Sequence, residues 1–185
     1  MTNYINNALN QDNKTLINKA DLALIILDMQ QDFMKYLTKS DRNMILSSTL
    51  NMLDFGIKND IPIVLFEYFG HKNTIDEVFE KLRNYNNLQR YIKIEDNGFQ
   101  YTAIANRMHQ ENIKKLFFIG INATSCVLRS MRGARANRLE IMTADDVIAN
   151  GTQIYNGDRN NIRELFNKSK IKYYDSHKEF LDILN

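Results

Sequence analysis

Lys115-Leu-Phe-Phe-Ile-Gly120-Ile-Asn-Ala-Thr-Ser-Cys126-Val-Leu is the stretch on which the fold turns. An apolar run stops at Gly120, five residues of turn follow, and the only cysteine of the chain falls where a helix begins. An apolar run without polar alternation reads as a strand buried on both faces. Such strands alternating with helices make a parallel sheet with helices on both sides.

The rest of the chain repeats the pattern. Besides Leu116–Ile119, the runs Leu22–Leu27, Ile61–Phe66, Leu139–Met142 and Ile171–Tyr174 read as buried strands, and a weaker sixth lies near Tyr91–Lys93. Helical spacing fills the gaps. Asp41–Asn59 sets Ile45, Leu46, Thr49, Leu53 and Ile57 on one face, and Tyr101–Glu111, Ser125–Arg138 and Asp158–Asn167 also read as helices. Thr74-Ile-Asp-Glu77 and Ser176-His-Lys-Glu179 have the form of capping boxes. An amphipathic segment, Ile5–Lys19, precedes the first strand. The order predicts a three-layer α/β/α fold around a six-stranded, mostly parallel sheet, in a single domain spanning residues 1–185.

Composition narrows the function. The chain has 185 residues, 44% hydrophobic and 25% charged, with net charge +2. That balance gives no electrostatic case for nucleic acid or a membrane surface. The longest apolar runs are too short to span a bilayer, and Met1-Thr-Asn-Tyr-Ile lacks the form of a secretory signal. One cysteine excludes an internal disulfide framework and fits a reducing, cytoplasmic setting. A small-molecule substrate is the expected partner.

Ligands of open parallel sheets bind beyond the carboxyl ends of the strands, so chemistry is expected where apolar runs stop. Asp28 follows the first run directly, and partial desolvation should raise its pKa toward that of a general base. Lys93 ends the weak strand. Cys126 sits at a helix start, where unpaired N–H groups and the helix dipole should lower the thiol pKa. A lone cysteine is more often a small buried hydrophobe, an Asp after a strand often caps a turn, and most lysines are solvated. The three together, at three ends of one sheet, make a set in which Asp28 can take the thiol proton and Lys93 can steady the charges.

At this point the chain resembles the isochorismatase-like cysteine hydrolases. Three motifs carry the resemblance, from about Leu22 to Val147: the apolar strand before Asp28-Met-Gln30-Gln-Asp32-Phe33; Lys93 with Phe99 six residues later; and Gly120, Cys126, Val127, Ala134 and Ala144-Asp145. The resemblance implies a Rossmann-like fold with Asp28 as base, Lys93 as charge stabiliser and Cys126 as nucleophile. It implies an oxyanion hole from the backbone N–H groups of Asn122 and Cys126, a cis peptide at Ile121–Asn122, and a homo-oligomer. Relatives often carry Thr three residues after the glycine, where this chain has Ala123.

The metal-dependent nicotinamidase branch carries Asp-x-His and a further His after the second strand, whereas here that stretch is Glu67-Tyr-Phe-Gly-His71. His71 alone cannot build a three-ligand site, His109 reads as solvent-facing, and Asp175-Ser-His177 reads as a cap, so no metal or cofactor is expected. Pocket walls are sought among Phe33, Tyr68 and Phe99, with Glu67 and Arg129 for polar or charged parts of a substrate. Glu67 could equally pair with Lys93 or an arginine. The reading is a cysteine hydrolase of a small amide, carbamoyl or ureido C–N bond acting through a thioester. Vinyl ether hydrolysis of the isochorismatase kind and a catalytically silent binding or scaffold relative are the alternatives. A flavodoxin-like nucleotide binder is disfavoured because Asp28-Met-Gln-Gln-Asp is acidic and glycine-free. A redox sensor would need a resolving cysteine from another chain.

Overall fold

The computed structural model of the chain describes residues 17–100, 103–152, 159–169 and 171–184. The elements run β1 (Leu22–Leu27), α1 (Gln31–Met34), α2 (Lys39–Lys58), β2 (Ile63–Tyr68), α3 (Asp76–Leu82), β3 (Leu88–Lys93) and α4 (Ile104–Gln110). There follow β4 (Lys115–Ile121), α5 (Leu128–Ala136), β5 (Glu140–Ala144), β6 (Ile148–Ala149), α6 (Arg159–Lys168), β7 (Lys172–Tyr174) and α7 (His177–Asp182). The amphipathic segment placed at Ile5–Lys19 lies, up to residue 16, outside the described residues, as do the first two residues of the helix expected at Tyr101–Glu111.

Each expected strand forms. All pairings are parallel, in the order β3-β2-β1-β4-β5-β7, and the two-residue β6 joins the end of β4 as a seventh strand. Every residue of β1 is buried, as an uninterrupted apolar run requires. The sheet grows outward from its middle in two directions, β1 to β2 to β3 and β4 to β5 to β7. Right-handed crossovers then put α2 and α3 on one face and α4, α5 and α6 on the other. The closing helix α7 joins α2, where Phe180 stacks on Phe117 with ring centroids 4.1 Å apart. The neighbouring Phe118 points the other way, to Phe99. The switch between the two directions falls between β1 and β4, the position at which open parallel sheets hold their ligands.

Two local expectations change. Helix α2 buries Ile45, Ser48, Thr49, Met52, Leu53 and Gly56, so its packing stripe holds small residues that a count of apolar positions passes over. A Cβ at Gly56 would lie 2.8 Å from Leu24 Cδ1, which shows how closely helix and sheet approach. The capping box at Thr74–Glu77 does not form. Helix α3 starts later, behind Ile75 with no side-chain cap, because the Thr74 N–H and hydroxyl both donate to Glu67 (2.9 and 2.7 Å). Of the second box one half forms: Ser176 Oγ accepts from Glu179 N–H at 3.3 Å, while the Glu179 carboxylate accepts from Asp175 N–H at 2.7 Å, one residue before the cap.

Gly120 is fixed by close approach. It pairs with Leu27 in the β1–β4 register, and a Cβ there would stand 2.3 Å from the Leu27 carbonyl oxygen. Backbone cannot yield as a side-chain tip can. Gly120→Ala is therefore expected to lower stability by about 3 kcal/mol, read from urea unfolding midpoints at unchanged slope.

Candidate active site

Asp28 leaves β1 at φ 58°, a left-handed conformation uncommon outside glycine that aspartate and asparagine adopt more readily than other residues. Its N–H still bonds the Phe66 carbonyl at 3.0 Å, so the chain turns only after the last sheet bond. Lys93 is the last residue of the edge strand β3, opposite Tyr68 of β2. Its ammonium passes over the Tyr68 ring, 4.0 Å from the centroid, and stops 3.1 Å from Asp28 Oδ2. The two side chains are 1% and 0% exposed. Neither Asp28 oxygen has an aligned hydrogen bond from the described residues, so the contact with Lys93 is an ion pair rather than a well-directed bond. The base candidate is thus buried and charge-compensated, with open acceptor capacity.

Cys126 is placed by a turn of unusual form. After Gly120, Asn122 takes φ 62° and ψ 51°, and residues Ala123–Val127 form one turn of π-helix before α5 begins. The Asn122 carbonyl accepts both Ser125 N–H (3.0 Å) and Val127 N–H (3.2 Å). Single π-turns of this kind recur at functional sites. Among the described residues no peptide bond is cis, so the cis bond expected at Ile121–Asn122 is not present. The left-handed Asn122 reverses the chain instead. Asn150, just past β6, holds the outer side of the turn, its Oδ1 accepting from Thr124 N–H (3.1 Å) and Oγ1 (3.3 Å). Asn122 opens this turn and Cys126 lies within it, where the two expected oxyanion donors would be needed.

Cys126 is 3% exposed, and its thiol donates to Asp96 Oδ1 at 3.4 Å. Asp96 lies in the loop after Lys93, and its Oδ2 pairs with Arg129 at 3.1 Å. Burial first, then the charges of Asp28 and Asp96, push the Cys126 thiol far up, against the single opposing effect of Lys93. The lowered thiol expected from a helix start is therefore overturned. The regular helix begins only at Leu128, and desolvation between two carboxylates outweighs its dipole. Burial also raises Asp28, with Lys93 pulling the other way and not prevailing.

The structure thus brings Asp28, Lys93 and Cys126 into one contact group at the carboxyl end of the sheet. Of the wall residues, Tyr68 lies under Lys93, and Phe33 packs against Tyr68 and His71 (centroids 6.4 and 4.4 Å). Phe99 is 7% exposed between Phe66 and Phe118 and serves the core beneath the site. Arg129 stands at the surface, 64% exposed, and reaches the group through its pair with Asp96. Glu67 does not join them. Neighbours on a strand face opposite ways, so with Tyr68 turned to Lys93, Glu67 turns to the other side of the sheet. There it accepts from Thr74 and pairs with Arg90 at 2.8 Å. Burial pushes its acid up, but these partners outweigh it and hold Glu67 below its ordinary value.

Sequence reasoning missed Asp96, Ser130 and Asn150. Ser130 Oγ accepts Gly98 N–H (2.8 Å) and donates to the Asp96 carbonyl (3.2 Å), fastening the 94–99 loop to α5. The acidic pair Glu95-Asp96 after Lys93 was the available signal. The role of Gln30 also becomes plain: its amide accepts Tyr68 N–H (2.7 Å) and donates to the Tyr68 and Lys72 carbonyls. It clamps the end of β2 beside the site. Among the described residues no cluster of three or more metal-ligating groups occurs. His71 leans on Phe33 and stands 3.7 Å from Asp32, His109 meets the Asn137 carbonyl, and His177, at the start of α7, is bound to Asp146. A surface depression of about 590 Å³ lined by Asn18, Pro62, Asn87 and Ile113 opens at the amino ends of the strands, away from Cys126. No helix among the described residues is long and apolar enough to cross a membrane.

A family model described as the isochorismatase domain matches residues 22–167. A sequence comparison with curated proteins finds no match. Among solved structures, the MAR1 ribonuclease of Caenorhabditis elegans superposes with a TM-score of 0.76 at 18% identity, covering 90% of this chain and 83% of that one. The N-carbamoylsarcosine amidase of Thermoplasma acidophilum gives 0.69 at 17% identity, covering 83% and 95%. The Escherichia coli YcaC product, described as an octameric hydrolase of unknown specificity, gives 0.71 at 12%, covering 86% and 78%. At such identities the likeness is one of fold.

Proposed function

The chain belongs to the isochorismatase family, and from that membership we propose that it is a cysteine hydrolase cleaving a C–N bond in a small amide, carbamoyl or ureido substrate through a thioester. The observation that carries this reading is the meeting of a buried thiol, carboxyl and ammonium from three separate strand ends, with Lys93 3.1 Å from Asp28. The likeness in fold to an N-carbamoylsarcosine amidase supports the substrate class.

The chemistry follows from the charges. The resting thiol is neutral, so Asp28 takes its proton as sulfur attacks the substrate carbonyl. Lys93 balances the negative charge that moves between carboxylate and sulfur. Backbone N–H groups of Asn122 and Cys126 receive the oxyanion. Asp28 returns the proton to the leaving nitrogen, the amine departs, and a thioester remains. Water then attacks the thioester while Asp28 accepts its proton, and sulfur leaves to be reprotonated. A carbonyl is what a thiolate attacks, so retention of Cys126 favours acyl transfer over vinyl ether cleavage. The same reading has the protein acting in the cytoplasm as a homo-oligomer. Phe69, Ile92 and Ile94, exposed by 67%, 68% and 64% at the β3 edge, offer apolar surface for such an assembly to cover.

Screening small amides, carbamoyl compounds and ureides for ammonia release tests the reading, with Cys126→Ala as the blank. A pH profile adds a mechanistic check. Asp28 must be ionised to take the thiol proton, and burial raises its pKa above the ordinary 3.8. As pH falls through that raised value the carboxylate is lost, so kcat/KM should fall along an acid limb lying above 3.8. A profile flat down to pH 4 would remove Asp28 as the base.

A further inference from the structure

Cys126 faces a second carboxylate that the mechanism above does not use. Asp96 Oδ1 accepts the thiol hydrogen at 3.4 Å, while Oδ2 is held by Arg129 at 3.1 Å. The Asp96 carbonyl is fastened by Ser130 (3.2 Å), four residues beyond Cys126 on α5. The sulfur therefore lies between two ion pairs. The inner one, Lys93–Asp28, is buried, and the outer one, Arg129–Asp96, reaches solvent with side chains 64% and 30% exposed. The outer pair is thus the solvent-facing side of the sulfur.

We propose that Asp96 is a specificity residue, accepting an N–H carried by the nitrogen on the scissile carbonyl and so selecting primary amide, carbamoyl and ureido substrates. This rests on the hydrolase reading above. When the thiol proton moves to Asp28, Asp96 Oδ1 loses the hydrogen it was accepting, next to the sulfur that is forming the new bond. The oxyanion belongs on the side of the 122–126 turn, since a carboxylate would repel it. What suits the Asp96 side is a donor, and an amide nitrogen brings one that an ester or ether oxygen lacks. Arg129 fixes the direction of the acceptor by occupying the other oxygen. The hydrogen bond passes from sulfur to substrate nitrogen, so Asp96 Oδ1 keeps a donor beside the reacting sulfur throughout.

Alkylation of Cys126, the only cysteine in the chain, reads this selection without requiring turnover. Rates with iodoacetamide and with N,N-dimethyl-iodoacetamide are measured, and each is normalised to its rate with free cysteine. The wild type should prefer the N–H-bearing reagent by about tenfold or more, the scale of a hydrogen bond to a charged acceptor. In Asp96→Asn the single acceptor oxygen goes to Arg129 and the NH₂ faces the reagent, so the preference should collapse to about one. Asp96→Ala should behave alike, and matching melting curves exclude a folding defect. Equal preference in wild type and Asp96→Asn, or none in the wild type, overturns the proposal. A wild type that keeps the preference but releases ammonia from no amide would remove the hydrolase reading and leave the Asp96 contact standing.

Discussion

Cys126→Ala is expected to reduce amide hydrolysis by on the order of 10⁴-fold or more, to the level of the uncatalysed control. The sulfur is the atom that bonds the acyl carbon, so its loss removes the covalent route itself and not one stabilising contact. Cys126→Ser should be nearly as inactive. A hydroxyl is a much poorer nucleophile, and the surroundings that push the thiol pKa up would disfavour an alkoxide further. Neither change should unfold the protein, because removing or replacing one sulfur at a rim position leaves the sheet core intact. Melting curves for both variants, set beside ammonia release, separate the two effects. A Cys126→Ala protein with normal turnover would end the scheme.

The second large effect concerns stability as well as rate. Lys93→Met should lose turnover and also cost about 3–5 kcal/mol at neutral pH, because it leaves the Asp28 carboxylate buried without its cation. The sign of the pH dependence is fixed. Burial already raises Asp28 above 3.8, and losing Lys93 raises it more. The folded variant then holds a proton that the unfolded chain releases, so its stability declines as pH rises from 3.8 through the raised value. The deficit against wild type should be larger at pH 8 than at pH 5. Adding Asp28→Asn to Lys93→Met removes the orphaned charge and should restore most of the stability without restoring activity. A deficit equal at both pH values, with no rescue by Asp28→Asn, would mean that Lys93 acts through packing alone.

Motif and geometry meet most instructively at Asp28-Met-Gln30-Gln-Asp32-Phe33. Its first residue enters the contact group. The others build the surroundings: Gln30 grips the backbone of Tyr68, Asp32 accepts Lys72 N–H at 2.9 Å, and Phe33 packs on Tyr68. At Glu67 a strand-end carboxylate read as a candidate for the pocket is turned to the opposite face. The strand runs two residues further than its apolar run, to Tyr68, and that moves Glu67 from a free end into an alternating position.

Legible in the chain itself were the alternation of buried strands and helices, the parallel sheet, and the strand ends at which Asp28, Lys93 and Cys126 sit. Burial on both faces demands unbroken apolar runs, and those runs stop where polar chemistry starts, so these features are local in sequence. Tertiary structure alone decided the partnership of Asp96 with the thiol, the support of the turn by Asn150, the raised thiol and the left-handed Asn122. Each depends on which way a side chain or carbonyl points once segments far apart in the chain are packed together. Hydrophobic periodicity reports how deep a residue lies, but not which neighbour it meets there.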